Sequence, residues 1–565
     1  MQKILNEVPF DRKGNFTTDD HYTFSLKEAI ALYNKSRREA LEQLYKSKEI
    51  TQSKSMEMEA DFEEVAASCG YFSFSLQDFA NELITYLEIL DDLKLEVEER
   101  PDGRTWAWLR FWRPVPESKP PGADFGQISA TDPETNNVHG NLPGVSKTKT
   151  SDKYGQYLSN KSRIEQYRYR LWRALGFFRR DDIKFAVKVG VGAALYALPS
   201  FLSSTRPFYQ RWRGEWGLLS YILVCTMTLG ASNTTGWSRF IGTVIGAVCA
   251  IVSWEIADRN VFLLAFFGWV MCLWCSYIVI GKGQGPFGRF IVLTYNLSAL
   301  YAYSVAVHDA PGDPDEGGID PVITEITLHR TAAVISGCIW GLIITRMIFP
   351  ISDSTKFKDG LSLLWLRMGL IWKRDPLNIP FEPQAYMDLR EEFELHRFLT
   401  RLESLRGSAK SELHLRGPFP EAAYGKILKS TGAMLDAFHA LNVMILKNSE
   451  ASKGEAALHK YTEEERTAVC TRISHLFQVL ASSMKIEFPM NGALPGVSHT
   501  RDRLLAKMFR FRREEKEKIG ATDEDFESLY AFSLVTGQLS EEIKGMGKEI
   551  EKLFGVFDED LLKLQ

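Results

Sequence analysis

Between Ile183 and Pro350 the chain stops alternating apolar with charged positions and becomes apolar for long stretches. Charge-free runs cover 189–205, 216–238, 240–254, 260–281, 290–308 and 331–345. A helix needs roughly 20 mostly apolar residues to cross the hydrocarbon core, within a range of about 17–25. Four runs reach that range as they stand. The runs 240–254 and 331–345 become long enough when Arg239 and Arg330 lie at the interface and their stems snorkel. A core helix of a water-soluble protein explains one such run, not six in succession. The pattern therefore predicts an all-α polytopic membrane protein with six transmembrane helices in 183–350, a cytosolic helical N-terminal region and a C-terminal helical bundle.

The flanks carry helical periodicity of a different kind. In residues 1–112, Ser25-x-x-Glu28 reads as a capping box ahead of a helix running to about Ile50. A second helix is predicted from about Met56 to Glu99, with a possible break at Gly70 and a buried stripe of Phe79, Leu83, Tyr86, Leu87 and Leu90. Residues 113–160 are rich in Pro, Gly, Ser, Thr and Asn, the composition of a disordered linker. After Pro350, helical patterns near 354–374, 384–406, 420–447, 460–485 and 523–556 predict a helical bundle over 351–565.

Charge sharpens this picture. The 565 residues hold 68 basic and 72 acidic side chains, a net charge of −4, so no broad basic field suits the chain to nucleic acid. Only 20 charged residues fall among the 168 positions from Ile183 to Pro350. Just before them, in 161–182, Arg168, Arg170, Arg173, Arg179 and Arg180 interleave with aromatics such as Trp172. Beside a membrane span that mixture reads as an interfacial helix on anionic lipid. It also puts the N-terminus in the cytoplasm, and six spans return the C-terminus there, where Arg346, Lys356 and Lys358 follow. The loop from Asp309 to Glu325 holds six acids and no Lys or Arg, as the far side should, whereas Arg206, Arg211 and Arg213 run against the rule. Of seven cysteines, five fall in spans, and Cys272-x-x-Cys275 reads as small apolar filling. The N-terminus has no apolar signal region.

The candidate chemistry lies in the spans. Gly242-x3-Gly246 and Gly337-x3-Gly341 are faces on which two helix backbones approach closely. Arg239 precedes the first pair and Arg330 the second. If the spans divide three and three, the arginines open the third helix of each half, in the manner of inverted-repeat transporters. An intramembrane cation is a functional candidate facing an anion path, or else an interfacial anchor. Thr243, Asn233 and Asn296 are polar groups that either meet an anion on that path or hydrogen-bond neighbouring helices. Gly283-x-Gly285-x-x-Gly288 matches a dinucleotide fingerprint in letters only; it lacks a preceding strand and reads as a tight turn. No Walker, HExxH, GxSxG or paired Cys/His metal spacing occurs, so neither an enzyme, a cofactor nor a metal is expected.

Arg239-x-x-Gly242-Thr243-x-x-Gly246 after a charge-free span resembles the signature of the aromatic acid exporter and fusaric acid resistance superfamily. The chain is also similar to plant aluminium-activated malate transporters. It is most similar to fungal endoplasmic reticulum transporters with six-span domains and a brefeldin-A-sensitivity-type region. Arg330, Gly337 and Phe349-Pro350, and the stretch Ser68–Phe74, carry that further likeness. The resemblance implies export or passive conduction of aromatic or dicarboxylic acid anions. Many fungal relatives have two six-span halves, and this chain has one, which implies a homodimer or a missing half. The alternative is a helical scaffold anchored in an internal membrane. Membrane lipids and an organic anion are the expected partners.

Overall fold

The computed structural model describes residues 20–46, 55–98, 168, 171, 180–258, 260–307, 323–377, 387, 389–412, 417–447, 452–490, 494–514 and 520–556. Among these, every named element is helical: α1 (Asp20–Lys46), α2 (Met56–Glu98), α3 (Asp181–Phe201), α4 (Arg206–Arg211), α5 (Gly214–Val224), α6 (Leu229–Ala257), α7 (Val261–Ile280), α8 (Gly285–Val307), α9 (Ile323–Met347), α10 (Asp353–Trp372), α11 (Leu389–Lys410), α12 (Glu421–Lys447), α13 (Lys453–Ile486), α14 (Ser498–Glu514) and α15 (Glu527–Phe554). The expected linker over 113–160 and the loop 308–322 lie outside the described residues.

The apolar region is a helix cluster with α5, α6, α8 and α9 at its centre and α3 and α7 outside. Among the described residues, four helices are long and apolar enough to cross a membrane: α3, α6, α7 and, within α9, Thr327–Met347. The run lengths predict six spans, and length and composition mark these four among the described residues. The charge-free run 216–238 is not one helix. α5 stops after 11 residues at Val224, the backbone turns extended at Cys225 and Thr228, and α6 begins at Leu229. No Pro, Gly or charge marks that break; Thr226 N–H and its hydroxyl are taken up by Ser232 Oγ at 3.1 and 2.8 Å. The two runs on either side of Arg239 are in turn joined, because α6 passes through it for 29 residues.

The remaining helices form a terminal bundle built from both ends of the chain. Trp365 and Trp372 of α10 are fully buried, and Trp372 stacks between Phe438 at 5.2 Å and Phe532 at 5.6 Å. Ala60, Ala67 and Phe74 of α2 belong to this same core, against α14 and α15. Ion pairs fasten the contact: Arg501–Glu64 at 2.7 Å, Arg510–Glu59 at 3.0 Å and Arg512–Glu63 at 3.7 Å. The N-terminal and C-terminal regions, read from sequence as separate units, thus share one hydrophobic core.

Three local expectations change. α1 begins at Asp20, so Ser25 and Glu28 lie inside the helix and make no capping box. α2 runs straight through Gly70, which lies so close to Tyr530 that a Cβ would sit 3.0 Å from its ring. Of the α2 stripe, Leu83 and Leu87 are buried against Leu26 of α1, but Phe79 and Tyr86 are exposed. The more strongly buried face is Ala60, Ala67 and Phe74. α14 carries no clear apolar pattern in sequence because its buried Leu504, Leu505, Met508 and Phe511 sit among six basic residues.

α6 is the mechanical joint between the two regions. Leu229 N–H donates to the Ile351 carbonyl at 3.0 Å, and Gly230 N–H to Asp353 Oδ2 at 2.8 Å. A carboxylate accepting from the first-turn N–H groups is the favourable partner for a helix start. Asp181 at the head of α3 pairs with Lys356 of α10 at 3.1 Å.

Candidate functional site

Arg239 is the eleventh residue of α6, roughly 15 Å along the helix at 1.5 Å per residue, and not at its start. Its side chain is 1% exposed. Nη2 donates to Ser220 Oγ of α5 at 3.4 Å, and the guanidinium lies 4.8 Å from the centre of the Phe290 ring of α8. Among the described residues, Nε and Nη1 find no acceptor. A buried cation held by one long hydrogen bond and a ring face is costly to keep, because such groups are normally paired or fully hydrogen-bonded.

Arg330 is the eighth residue of α9 and 9% exposed. Nη1 donates to the Leu297 carbonyl at 2.8 Å, and its guanidinium lies 3.9 Å from the Tyr301 ring and 5.1 Å from that of Trp216. Ser220 and Trp216 are four residues apart on α5, and Phe290 and Leu297 seven apart on α8. The two arginines therefore address the same faces of the same two helices, from α6 and from α9. Seven residues of α8 set their levels about 10 Å apart. One column of packed helices carries both.

Glycines make that column narrow. A Cβ on Gly242 would lie 3.0 Å from Phe290 Cβ, and one on Gly246 2.6 Å from the Ile291 carbonyl, so α6 rests directly on the α8 backbone. A Cβ on Gly337 would collide with the Gly217 carbonyl, and one on Gly341 would stand 3.3 Å from Val224, so α9 rests likewise on α5. Within the column Thr243 is fully buried, and the hydroxyls of Thr243, Thr327 and Thr331 lack hydrogen-bond partners among the described residues.

The other sequence candidates are dispersed. Asn296 lines a groove of about 710 Å³ between α7 and α8 that reaches Arg330. Asn233 is engaged elsewhere, its amide donating to the Ser411 carbonyl at 2.9 Å, where α6 meets the terminal bundle. Arg168 is exposed, and Arg180 pairs with Asp182 at 3.5 Å. Arg170, Trp172, Arg173 and Arg179 lie outside the described residues. Gly283 has φ +66°, a left-handed position in the tight turn joining α7 to α8. No group of His, Cys, Asp or Glu among the described residues is arranged to hold a metal.

Sequence reasoning missed Lys188. It lies within α3, is fully buried, and its Nζ has no partner among the described residues. Lys188 stands immediately before the charge-free run 189–205, which therefore excludes it. Its helical spacing from Lys184 was the available signal.

Residues 194–344 match the sequence model of a family described as fusaric acid resistance protein-like. That span runs from the middle of α3 to near the end of α9 and contains both arginines and both glycine pairs. The likeness points to membrane transport or a resistance-related role. No curated protein matches the chain.

Proposed function

We propose that the chain conducts or exports organic acid anions, aromatic or dicarboxylic, across an internal membrane, with Arg239 and Arg330 as successive contacts on the path. The observation that carries this reading is Arg239: fully buried, with two nitrogens that lack acceptors. A carboxylate supplies the missing negative charge and acceptors through charge-assisted hydrogen bonds. One arginine and no fixed counter-ion is also weak enough to let the anion leave. Phe290 covers the guanidinium, so passage requires that ring to swing aside.

The break after α5 supports the same reading. Irregular backbone at membrane depth is tolerated where protein surrounds it, and interrupted helices border the sites of many transporters. In this proposal α3, α5, α6, α7, α8 and α9 make six passes. An even number agrees with the shared core of the two chain ends, which would face the cytosol. The likeness to the fungal transporters favours the endoplasmic reticulum, and one six-span unit per chain favours a homodimer.

The test is efflux of benzoate and malate from proteoliposomes holding the purified protein, wild type beside Arg239→Ala. Flux in wild type that falls at least about tenfold in the variant, a loss of 1.4 kcal/mol or more of transition-state stabilisation, supports the path. Equal flux in both removes Arg239 from it. No flux from folded wild type gives the lead to the membrane-anchored scaffold, for which the large terminal bundle is the natural working part.

A further inference from the structure

The groove between α7 and α8 has a second property that transport does not use. α7 is 20 residues long with no charge, about 30 Å at 1.5 Å per residue, which equals the hydrocarbon thickness. Its two ends therefore mark the two interfaces, and the turn Gly281–Gln284 lies at one of them. Lys282 in that turn and Arg289, one turn into α8, are both exposed. Neither side chain forms an ion pair or hydrogen bond with a described residue. An arginine one turn below an interface extends its stem along apolar surface and its charge toward the headgroups.

Below these cations the groove descends along α8. Its lining positions 289, 292, 293, 296 and 300 recur at helical spacing over about 17 Å, with Val279 and Ile280 of α7 opposite. The walls are apolar, and at the foot the Tyr301 and Trp216 rings lie against Arg330. Ile280 and Leu300, on the two flanks, are 83% and 62% exposed, so the groove is open along its side to the bilayer.

We propose that this groove seats an anionic phospholipid. Its phosphate rests on Arg289 and Lys282, and one acyl chain lies along Val279, Val292, Leu293 and Leu300. The open side decides for a phospholipid over a free fatty acid, because the second chain stays in bulk lipid without a pocket of its own. Two cations at headgroup depth decide for an anionic phosphate over a zwitterionic headgroup, since basic residues there attract anionic lipid. The bound chain also closes the lateral gap through which other lipid would reach Arg330.

The test uses the full chain in detergent, with phosphatidate, phosphatidylcholine or oleate added separately and adducts read by native mass spectrometry. A phosphatidate carrying a photoactivatable acyl chain maps the contact. The expected result is a phosphatidate preference over phosphatidylcholine of roughly tenfold or more, cross-links within 272–300, and loss of the preference in the Lys282→Gln/Arg289→Gln double variant. Leu293→Trp, which fills the groove and keeps both cations, should abolish the cross-link while the protein elutes as the wild type does on gel filtration. Equal binding of phosphatidate and phosphatidylcholine, full preference in the double variant, or oleate displacing phosphatidate at equal concentration would overturn the proposal.

Discussion

Two arginines, each almost fully buried, sit in the two halves of this molecule under opposite conditions. Arg512 in the terminal bundle faces Asp523 at 2.7 Å and Glu63 at 3.7 Å, and its guanidinium lies 4.0 Å from the Phe526 ring. Arg239 in the membrane-type helices has a serine hydroxyl and a ring face, and two idle nitrogens. Where an arginine serves the fold, carboxylates neutralise it, here Glu63 from far along the chain and Asp523 from just beyond the same helix. Around Arg239 the helices supply glycine, threonine and apolar surface. Under the proposed function, the absent counter-charge distinguishes a site that awaits an anion from a finished contact.

That contrast is testable by deletion. Glu63 has no exposed surface, and Glu63→Ala should cost about 3–5 kcal/mol, because it leaves Arg512 short of a buried partner. Denaturant unfolding of the detergent-solubilised protein measures it. Arg239→Met should be neutral or stabilise by about 1–4 kcal/mol, as expected when an uncompensated buried cation becomes apolar. If Arg239→Met destabilises as much as Glu63→Ala, the contrast is wrong and Arg239 is structural.

Next in size comes Gly337→Ala. Its Cβ would strike the Gly217 backbone, so α9 and α5 must part, at a cost of about 1–3 kcal/mol. Because the arginine column is built on α5, anion flux should fall with stability, whereas Gly407→Ala on α11, with open space around it, should change neither.

The bundle should also show an acid sensitivity of its own. Burial, with Arg466 adding, lowers the His459 imidazole from its ordinary 6.5 to about 3. As pH falls below 6.5 the unfolded chain takes up the proton first, so stability is complete above 6.5 and is lost progressively toward about pH 3. His459→Gln should flatten that part of a stability-against-pH curve. The smallest effect belongs to Lys27–Glu88, a pair at 3.4 Å with both side chains 57% exposed. Lys27→Ala should cost about 0.2–1 kcal/mol and lose that cost in high salt.

Much of this organisation was legible from residue order. Long charge-free stretches announced the apolar helices, and Gly242, Gly246, Gly337 and Gly341 sit at close helix approaches because only glycine permits them. The break at 225–228 was not legible, because Cys-Thr-Met-Thr carries neither Pro, Gly nor charge, and its backbone is satisfied by Ser232 from the next helix. The alignment of Arg239 with Arg330 follows from α5 and α8 and is not encoded in the spacing of the arginines. Nor could periodicity show that α2 packs on α14. Each has its own amphipathic pattern, and no local signal names the partner.

That last contact has a consequence for how the protein is made. Glu64 and Arg501 are separated by 437 positions, all of the membrane-type helices among them. At roughly 5–20 residues per second, the ribosome takes between about twenty and ninety seconds to cover that distance. Throughout that time Ala60 and Ala67 lack α14 and α15, the helices that their face of α2 packs against. The nascent chain must insert its apolar helices while its first domain fragment is kept from aggregating, and the bundle closes only when synthesis is almost finished. A truncation that removes α14 and α15 should thus leave an N-terminal segment that binds chaperones and is degraded, even where the membrane helices have inserted correctly.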